Sequence, residues 1–233
     1  MNERKPFLTA HWGNLLLLNY PAPDEALRPY LPPGCELDRF GGSAFLSLVA
    51  FQFTRTKVFG LRWPGFTDFP ELNLRFYIRH QGRRGVCFVR EFVPSRLVAG
   101  IARWIYNEPY KAARMQERVT RDAGGIHALY TLRDGPHSLH FEARACGQPY
   151  LPPEHSLEHF FKEHELGVGR DRDGSAVTYD VHHPVWRVYP VQSYEVRLDA
   201  RGLYGDAFAF LETTRPASVV LAEGSEIVVY TKN

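Results

Sequence analysis

Residues 69–80 read FPELNLRFYIRH, and in them Leu72, Leu74, Phe76 and Ile78 alternate with Glu71, Asn73, Arg75, Tyr77 and Arg79. Successive side chains of a strand point to opposite faces, so this period of two gives one apolar face and one row of polar groups. The polar row has two readings. In a half-exposed sheet it is merely solvated, whereas inside a barrel it becomes a charged, hydrogen-bonding surface. Arginine offers a planar fork to a carboxylate and a nearby glutamate can move a proton. In the second reading Glu71, Asn73 and Arg75 would therefore hold a small acid.

Outward from this strand the pattern repeats. Segments 14–19, 44–54, 86–93, 116–121, 127–132, 138–145, 176–180, 194–198 and 226–231 are short, rich in Val, Phe, Tyr and Leu, and bounded by Gly or Pro, as strands are. So many strands imply a barrel or a packed pair of sheets. RHQGRR at 79–84 reads as a hairpin turn with solvated ends, and GVGRDRDGSA at 167–176 as a loop or hairpin tip. Three segments break the period. Asp24 is placed to cap a short helix that carries Leu27 inward and stops at Pro29. Ser95 and Pro109 bracket a helix with Leu97, Val98, Ile101, Ile105 and Tyr106 on its inner face, and Ser156 caps another carrying Leu157, Phe160, Phe161 and His164. The expectation is a single α+β domain over 1–233, mostly β, with a few short amphipathic helices laid on a mostly antiparallel barrel.

Composition excludes several functions. At 233 residues and 44% hydrophobic content a sizeable core is available, and a net charge of +2 with no block of like charge advertises neither nucleic acid nor membrane surface. Cys35, Cys87 and Cys146 are widely spaced and form no C-x-x-C pair, which suits a reducing compartment. The start MNERKPFLTAHWGN lacks an apolar signal core, and LLLL at 15–18 is too short to span a bilayer. A cytoplasmic protein is expected.

The histidines lack metal-ligand spacing: His182 and His183 are adjacent and point to opposite faces of a strand, and HSLH at 137–140 splits its two rings in the same way. No G-x-S-x-G occurs, and no G-x-G-x-x-G follows a strand. Neither a metal nor an organic cofactor is expected. In WIYNEPYKAARM, residues 104–115, Lys111 follows Pro109 and Tyr110 where a helical pattern ends. It is either a solvated lysine of a helix-to-strand connection or an amine held in a dry pocket, where desolvation would make it nucleophilic.

The ordered set HWGNLLLLNYPAPDEALRPYLPPGCELDRFGGSAFLSLVAFQF, ELNLRFYIR, EPYKAARM, SLEHFFKEHELG and HHPVWRV resembles the DUF2071 family, the YqjF-like proteins, over nearly the whole chain. That family is similar in fold to acetoacetate decarboxylase, which implies an antiparallel β-barrel with an internal cavity. The decarboxylase carries its Schiff-base lysine as the first lysine of a Pro-Lys-Lys motif. The resemblance sets Pro109 on that proline, Tyr110 on the first lysine and Lys111 on the second, and places Glu71 near the pocket glutamate. A tyrosine cannot form an iminium. What the resemblance implies instead is Tyr110 as hydrogen-bond donor or general acid, its pKa lowered by Lys111 or Arg75, with Glu71 and Lys111 beside it. Arg75 and Asn73 would bind substrate, and His183 with Trp186 would supply a further wall from the family's HHPVW element. The implied function is a cofactor-free lyase or hydratase acting on a small oxo or hydroxy acid. One alternative is a barrel that holds a small apolar or weakly acidic ligand, such as a carbonyl or carboxylate compound, without chemistry; another is a structural or homo-oligomerisation unit whose interior is closed and packed.

Overall fold

The computed structural model describes residues 6–231. In chain order the elements are β1 (Pro6–Pro21), α1 (Asp24–Leu27), β2 (Cys35–Leu37), β3 (Arg39–Phe40), β4 (Ser43–Val58), β5 (Phe69–His80), β6 (Arg83–Val93), α2 (Arg96–Tyr106), β7 (Tyr110–Ala112), β8 (Arg114–Asp122), β9 (Gly125–Asp134) and β10 (His137–Ala145). There follow α3 (Leu157–Lys162), β11 (Leu166–Arg170), β12 (Ala176–His182), β13 (Val188–Tyr189), β14 (Val191–Leu198), α4 (Ala200–Tyr204) and β15 (Ser218–Tyr230).

Strand pairing returns to its starting point. β5 pairs with β4, β4 with β1, β1 with β15, β15 with β12 and β12 with β11; β11 meets β6 at Gly167 and Val86, and β6 pairs back onto β5. All of these are antiparallel except β11 with β6, and β7 then extends β6 in parallel. A second sheet, in the order β14-β10-β9-β8, lies apart from this circuit.

Both faces of β5 are therefore covered. Leu72, Leu74, Phe76 and Ile78 share a core with Tyr130, Leu132, Leu139 and Phe141 of the second sheet. The opposite face looks into the circuit, where Tyr77 packs with Leu17, Val49, Phe51 and Phe161. The polar row is thus enclosed rather than solvated, and of its members only Arg79 reaches water.

Arg79 and Arg84 stand directly opposite each other at the end of this hairpin, whose turn uses Gln81 and Gly82 at φ 50° and 78°. Two positive φ values in a two-residue loop match the twist of the flanking strands. The like charges are reconciled by buried Asp38, whose carboxylate accepts from Arg79 Nε at 2.9 Å and from Arg84 Nε at 2.5 Å. The ends of 79–84 are thus tied to the structure. Since both arginines are partly exposed, the loss on Asp38→Asn falls below that of a fully buried pair and should be about 2 kcal/mol. Urea unfolding of the variant checks this, and an unchanged midpoint would refute it.

The helices depart from expectation in places. Pro23, not Asp24, precedes α1, and the Asp24 carboxylate instead pairs with Arg28 at 3.0 Å and Arg39 at 2.6 Å. Ser95 caps α2 by accepting from Val98 N, and Asn107 in the left-handed region ends it before Pro109. Of the stripe expected to face inward, Leu97 and Ile101 are exposed, as is Trp104 beside it, while Val98 is half-buried and Ile105 packs on the interior cluster. Ser156 caps α3, which seats Phe160 and Phe161 into the circuit.

Candidate functional site

Glu71, Asn73 and Arg75 project from β5 into the enclosed interior, and each is at least nine-tenths buried. Tyr110 begins β7 and reaches them from two strands away. Its hydroxyl donates to Glu71 Oε2 at 3.0 Å, while Asn73 Nδ2 donates to Glu71 Oε1 at 3.1 Å. Arg75 Nη2 donates to the Phe161 carbonyl at 3.1 Å, and the Tyr77 hydroxyl shares a 2.5 Å hydrogen bond with Ser47. The resemblance thus led to residues that do meet in space.

Two further glutamates join them. Asn73, Glu91 and Tyr110 lie in one cross-strand row, Asn73 opposite Glu91 and Glu91 opposite Tyr110. A bulge puts Glu91 there. Arg75 pairs with Phe88 but Leu74 with Arg90, so β6 holds one extra residue at this point. The insertion reverses the alternation. Without it Arg90 would enter the circuit and Glu91 would leave it. Glu108, just before Pro109, is also buried, and a Cβ on Gly169 would lie 3.1 Å from its Oε1. The Tyr179 ring likewise lies where a side chain on Gly167 would go. The glycines of 167–169, expected in a loop, are strand residues that give these two side chains room; only the stretch 171–175 is the hairpin tip.

Electrostatics follow from burial. Glu71 is pushed up to about 7 by desolvation, opposed by hydrogen bonds from Asn73 and Tyr110 and by the charge of Arg75. Glu108 rises to about 8 for the same first cause, opposed by a hydrogen bond with Tyr179. Glu91 is held well above the carboxylate range by desolvation and then by Glu71 and Glu108. A protonated Glu91 therefore donates to Glu71, giving the Glu71 carboxylate three donors. Tyr110 is raised well above its usual value by burial and by Glu71 and Glu91, which overturns the expected lowering. Its hydroxyl is a proton holder at neutral pH, not an acid poised to ionise. His164, buried beside Arg84 and Arg75, is held neutral.

Other expected residues stand elsewhere. Lys111 follows Tyr110 on the strand, so its side chain leaves by the opposite face, and its ammonium pairs at 2.5 Å with Asp134 in an exposed setting. It is outside the cluster, and its charge is answered by Asp134. His183 stacks on Trp186 at 4.0 Å and 16°, while Trp186 Nε1 donates to Ser225 at 2.8 Å. Trp186 packs against Trp12, whereas the Glu71 carboxylate accepts from Tyr110 and Asn73 and from neither His183 nor Trp186. Glu91, Glu108 and Tyr179 are the interior groups the sequence reading missed, whereas His164, read as inward beside Phe160 and Phe161, is buried. A glutamate inside the apolar run GVCFVREFV was the available signal for the first.

The circuit with its enclosed polar row defines the acetoacetate-decarboxylase-like fold. The chain is similar to the acetoacetate decarboxylase of Legionella pneumophila, with a TM-score of 0.65 and 13% identity over 99% of this chain and 88% of that one. An acetoacetate decarboxylase-like enzyme of Sphingomonas wittichii RW1 gives 0.66 and 13%, covering 98% and 94%. The enduracididine biosynthesis enzyme MppR gives 0.68 and 16%, covering 99% and 88%. At these identities the likeness is one of fold. Residues 9–226 match the model of DUF2071, described as an uncharacterized conserved protein, and the chain belongs to that family. It is 28% identical over 196 residues to uncharacterized protein YqjF of Bacillus subtilis (strain 168), covering 82% of this chain and 80% of YqjF. Among the described residues no helix is long and apolar enough to cross a membrane.

Proposed function

We propose that the interior binds a small oxo or hydroxy acid and performs acid–base chemistry on it, as a lyase or hydratase that forms no iminium. The observation that carries this reading is the buried contact in which Tyr110 donates to Glu71 at 3.0 Å, with Glu71 near neutral pKa. A base works best when its pKa lies close to the working pH. Glu71 takes the proton from the carbon beside the carbonyl. On binding, the O–H groups of Tyr110 and protonated Glu91 turn from Glu71 to the oxygen on which charge develops, where a dry site strengthens each bond and Glu71 is left free to accept the proton. Arg75 receives the carboxylate, its guanidinium being the cation nearest the row.

MppR, of similar fold, is described in complex with pyruvate, which makes pyruvate and acetoacetate the first probes. In D2O, loss of the proton signal beside the carbonyl reports abstraction. The native chain should exchange these protons faster than buffer alone, and Tyr110→Phe or Glu71→Gln should each slow the exchange by about 10²-fold. Absence of catalysed exchange with every oxo acid tried would remove the catalytic reading. Saturable binding without exchange would favour a barrel that only holds its ligand.

A further inference from the structure

Arg114 of β8 and Arg133 of β9 stand directly opposite each other, as Arg79 and Arg84 do on β5 and β6. The earlier pair shares the buried carboxylate of Asp38. The later pair meets no acidic side chain among the described residues. Directly opposed residues have Cβ atoms about 4.5–5.5 Å apart, so like charges placed there weaken the strand pairing. Gln116 and Thr131 are opposed two residues further on, with His140 beside Thr131 on β10, and all three share the face of the two arginines. Met115, Leu132 and Leu139 alternate to the other side, into the core shared with β5. The arginines therefore stand on the outer face of the second sheet.

Both line a groove of about 1570 Å³ whose walls also include Arg96, Gln116, Thr131, Ser138 and His140. The acids of this groove are already engaged. Asp134 pairs with Lys111, Asp199 pairs with His137 at 2.7 Å and accepts from Gly202 N at 2.8 Å, and Glu212 accepts from Arg201 N at 2.9 Å. Arg96 has no acidic partner among the described residues either, and in the first turn of α2 its charge opposes the helix dipole. Three exposed guanidiniums thus line one groove at positions where the fold gains nothing from their charge. A carboxylate would bring one negative charge and a single edge of two oxygens. A phosphate monoester brings about two charges at neutral pH and three acceptor oxygens, enough for each of two facing guanidiniums to take its own edge.

We infer that this groove binds a phosphorylated small molecule, with its phosphate between Arg114 and Arg133, Arg96 beside it, and its body along Gln116, Thr131 and His140. The amide, hydroxyl and imidazole of these three residues suit a hydroxylated body rather than an apolar one. The site lies on the outer face of the second sheet, apart from the strand circuit that encloses Glu71 and Tyr110, and it stands independently of the chemistry proposed there.

Isothermal titration of the full chain at neutral pH and fixed ionic strength compares three probes: ribose 5-phosphate, ribose, and malonate, a dianion without a phosphate. Ribose 5-phosphate should bind about tenfold tighter than either of the others. Arg114→Gln and Arg133→Gln should each weaken it by about tenfold. Arg118→Gln, on the same strand and face but outside the groove, should leave it unchanged. Without ligand at low salt, the two groove variants should melt no lower than the native chain, since each removes a contact between like charges. Equal affinity for malonate and ribose 5-phosphate, an equal loss in Arg118→Gln, or no binding of ribose 5-phosphate would overturn the inference. So would a lower ligand-free Tm in both groove variants, by assigning the arginines to the fold. Proton exchange of pyruvate should be the same in Arg133→Gln as in the native chain, so the groove and the interior are tested separately.

Discussion

Phe161→Ala is expected to destabilise the protein by about 3–5 kcal/mol, the range for removing a buried phenylalanine from a core that relaxes only in part. Phe161 is fully buried, and its ring packs at 5.2 Å from Phe45, 5.3 Å from Tyr77 and 5.2 Å from Phe160. It is also where α3 enters the strand circuit. Its own backbone carbonyl receives Arg75, so loss of the ring should loosen a binding residue along with the core. For a chain of this length each kcal/mol moves Tm by about 2–4 °C, which places the midpoint roughly 10 °C lower. Thermal unfolding followed by near-UV circular dichroism reads this directly. A loss below about 1 kcal/mol would mean that α3 does not fill the interior as described.

What could be read beforehand follows the range of the forces involved. Period-two alternation in FPELNLRFYIRH is local, so β5 and the side from which each residue projects were legible. The serine caps of α2 and α3 were legible for the same reason, because a cap acts within three residues. Whether the polar row of β5 faces water or an interior depends on strands from the far end of the chain, β15 above all. Alternation alone left both readings open, and the family resemblance supplied the barrel. Glu91 was hidden by the bulge opposite Leu74 and Arg75: one extra residue exchanges the faces, and nothing in VREF marks the insertion. Leu97 and Ile101 of α2 were read as inward although they are exposed, because its apolar residues extend around much of the helix and sequence does not say which stripe the sheet covers. The Pro-Lys-Lys match set Lys111 beside Tyr110, yet neighbours on a strand look in opposite directions.

Glu108→Gln is expected to stabilise the protein at neutral pH by about 3 kcal/mol. A glutamate ionises near 4.5 when unfolded but near 8 in this interior. Because the folded pKa is the higher one, the native state binds more protons throughout that window. The contribution to stability is therefore fully present below about 4.5, falls as pH rises toward 8, and is constant above. Each unit of difference corresponds to about 1.4 kcal/mol, and about two and a half units have been crossed by pH 7. Glu71, raised to about 7, adds a loss of the same sign over the lower part of the window. Urea unfolding of the native chain should accordingly show stability declining between pH 5 and pH 8. In Glu108→Gln the decline should be shallower, with the two proteins within about 1 kcal/mol of each other at pH 5 and furthest apart at pH 8. A variant no more stable than the native chain at pH 8 would show that Glu108 ionises without strain.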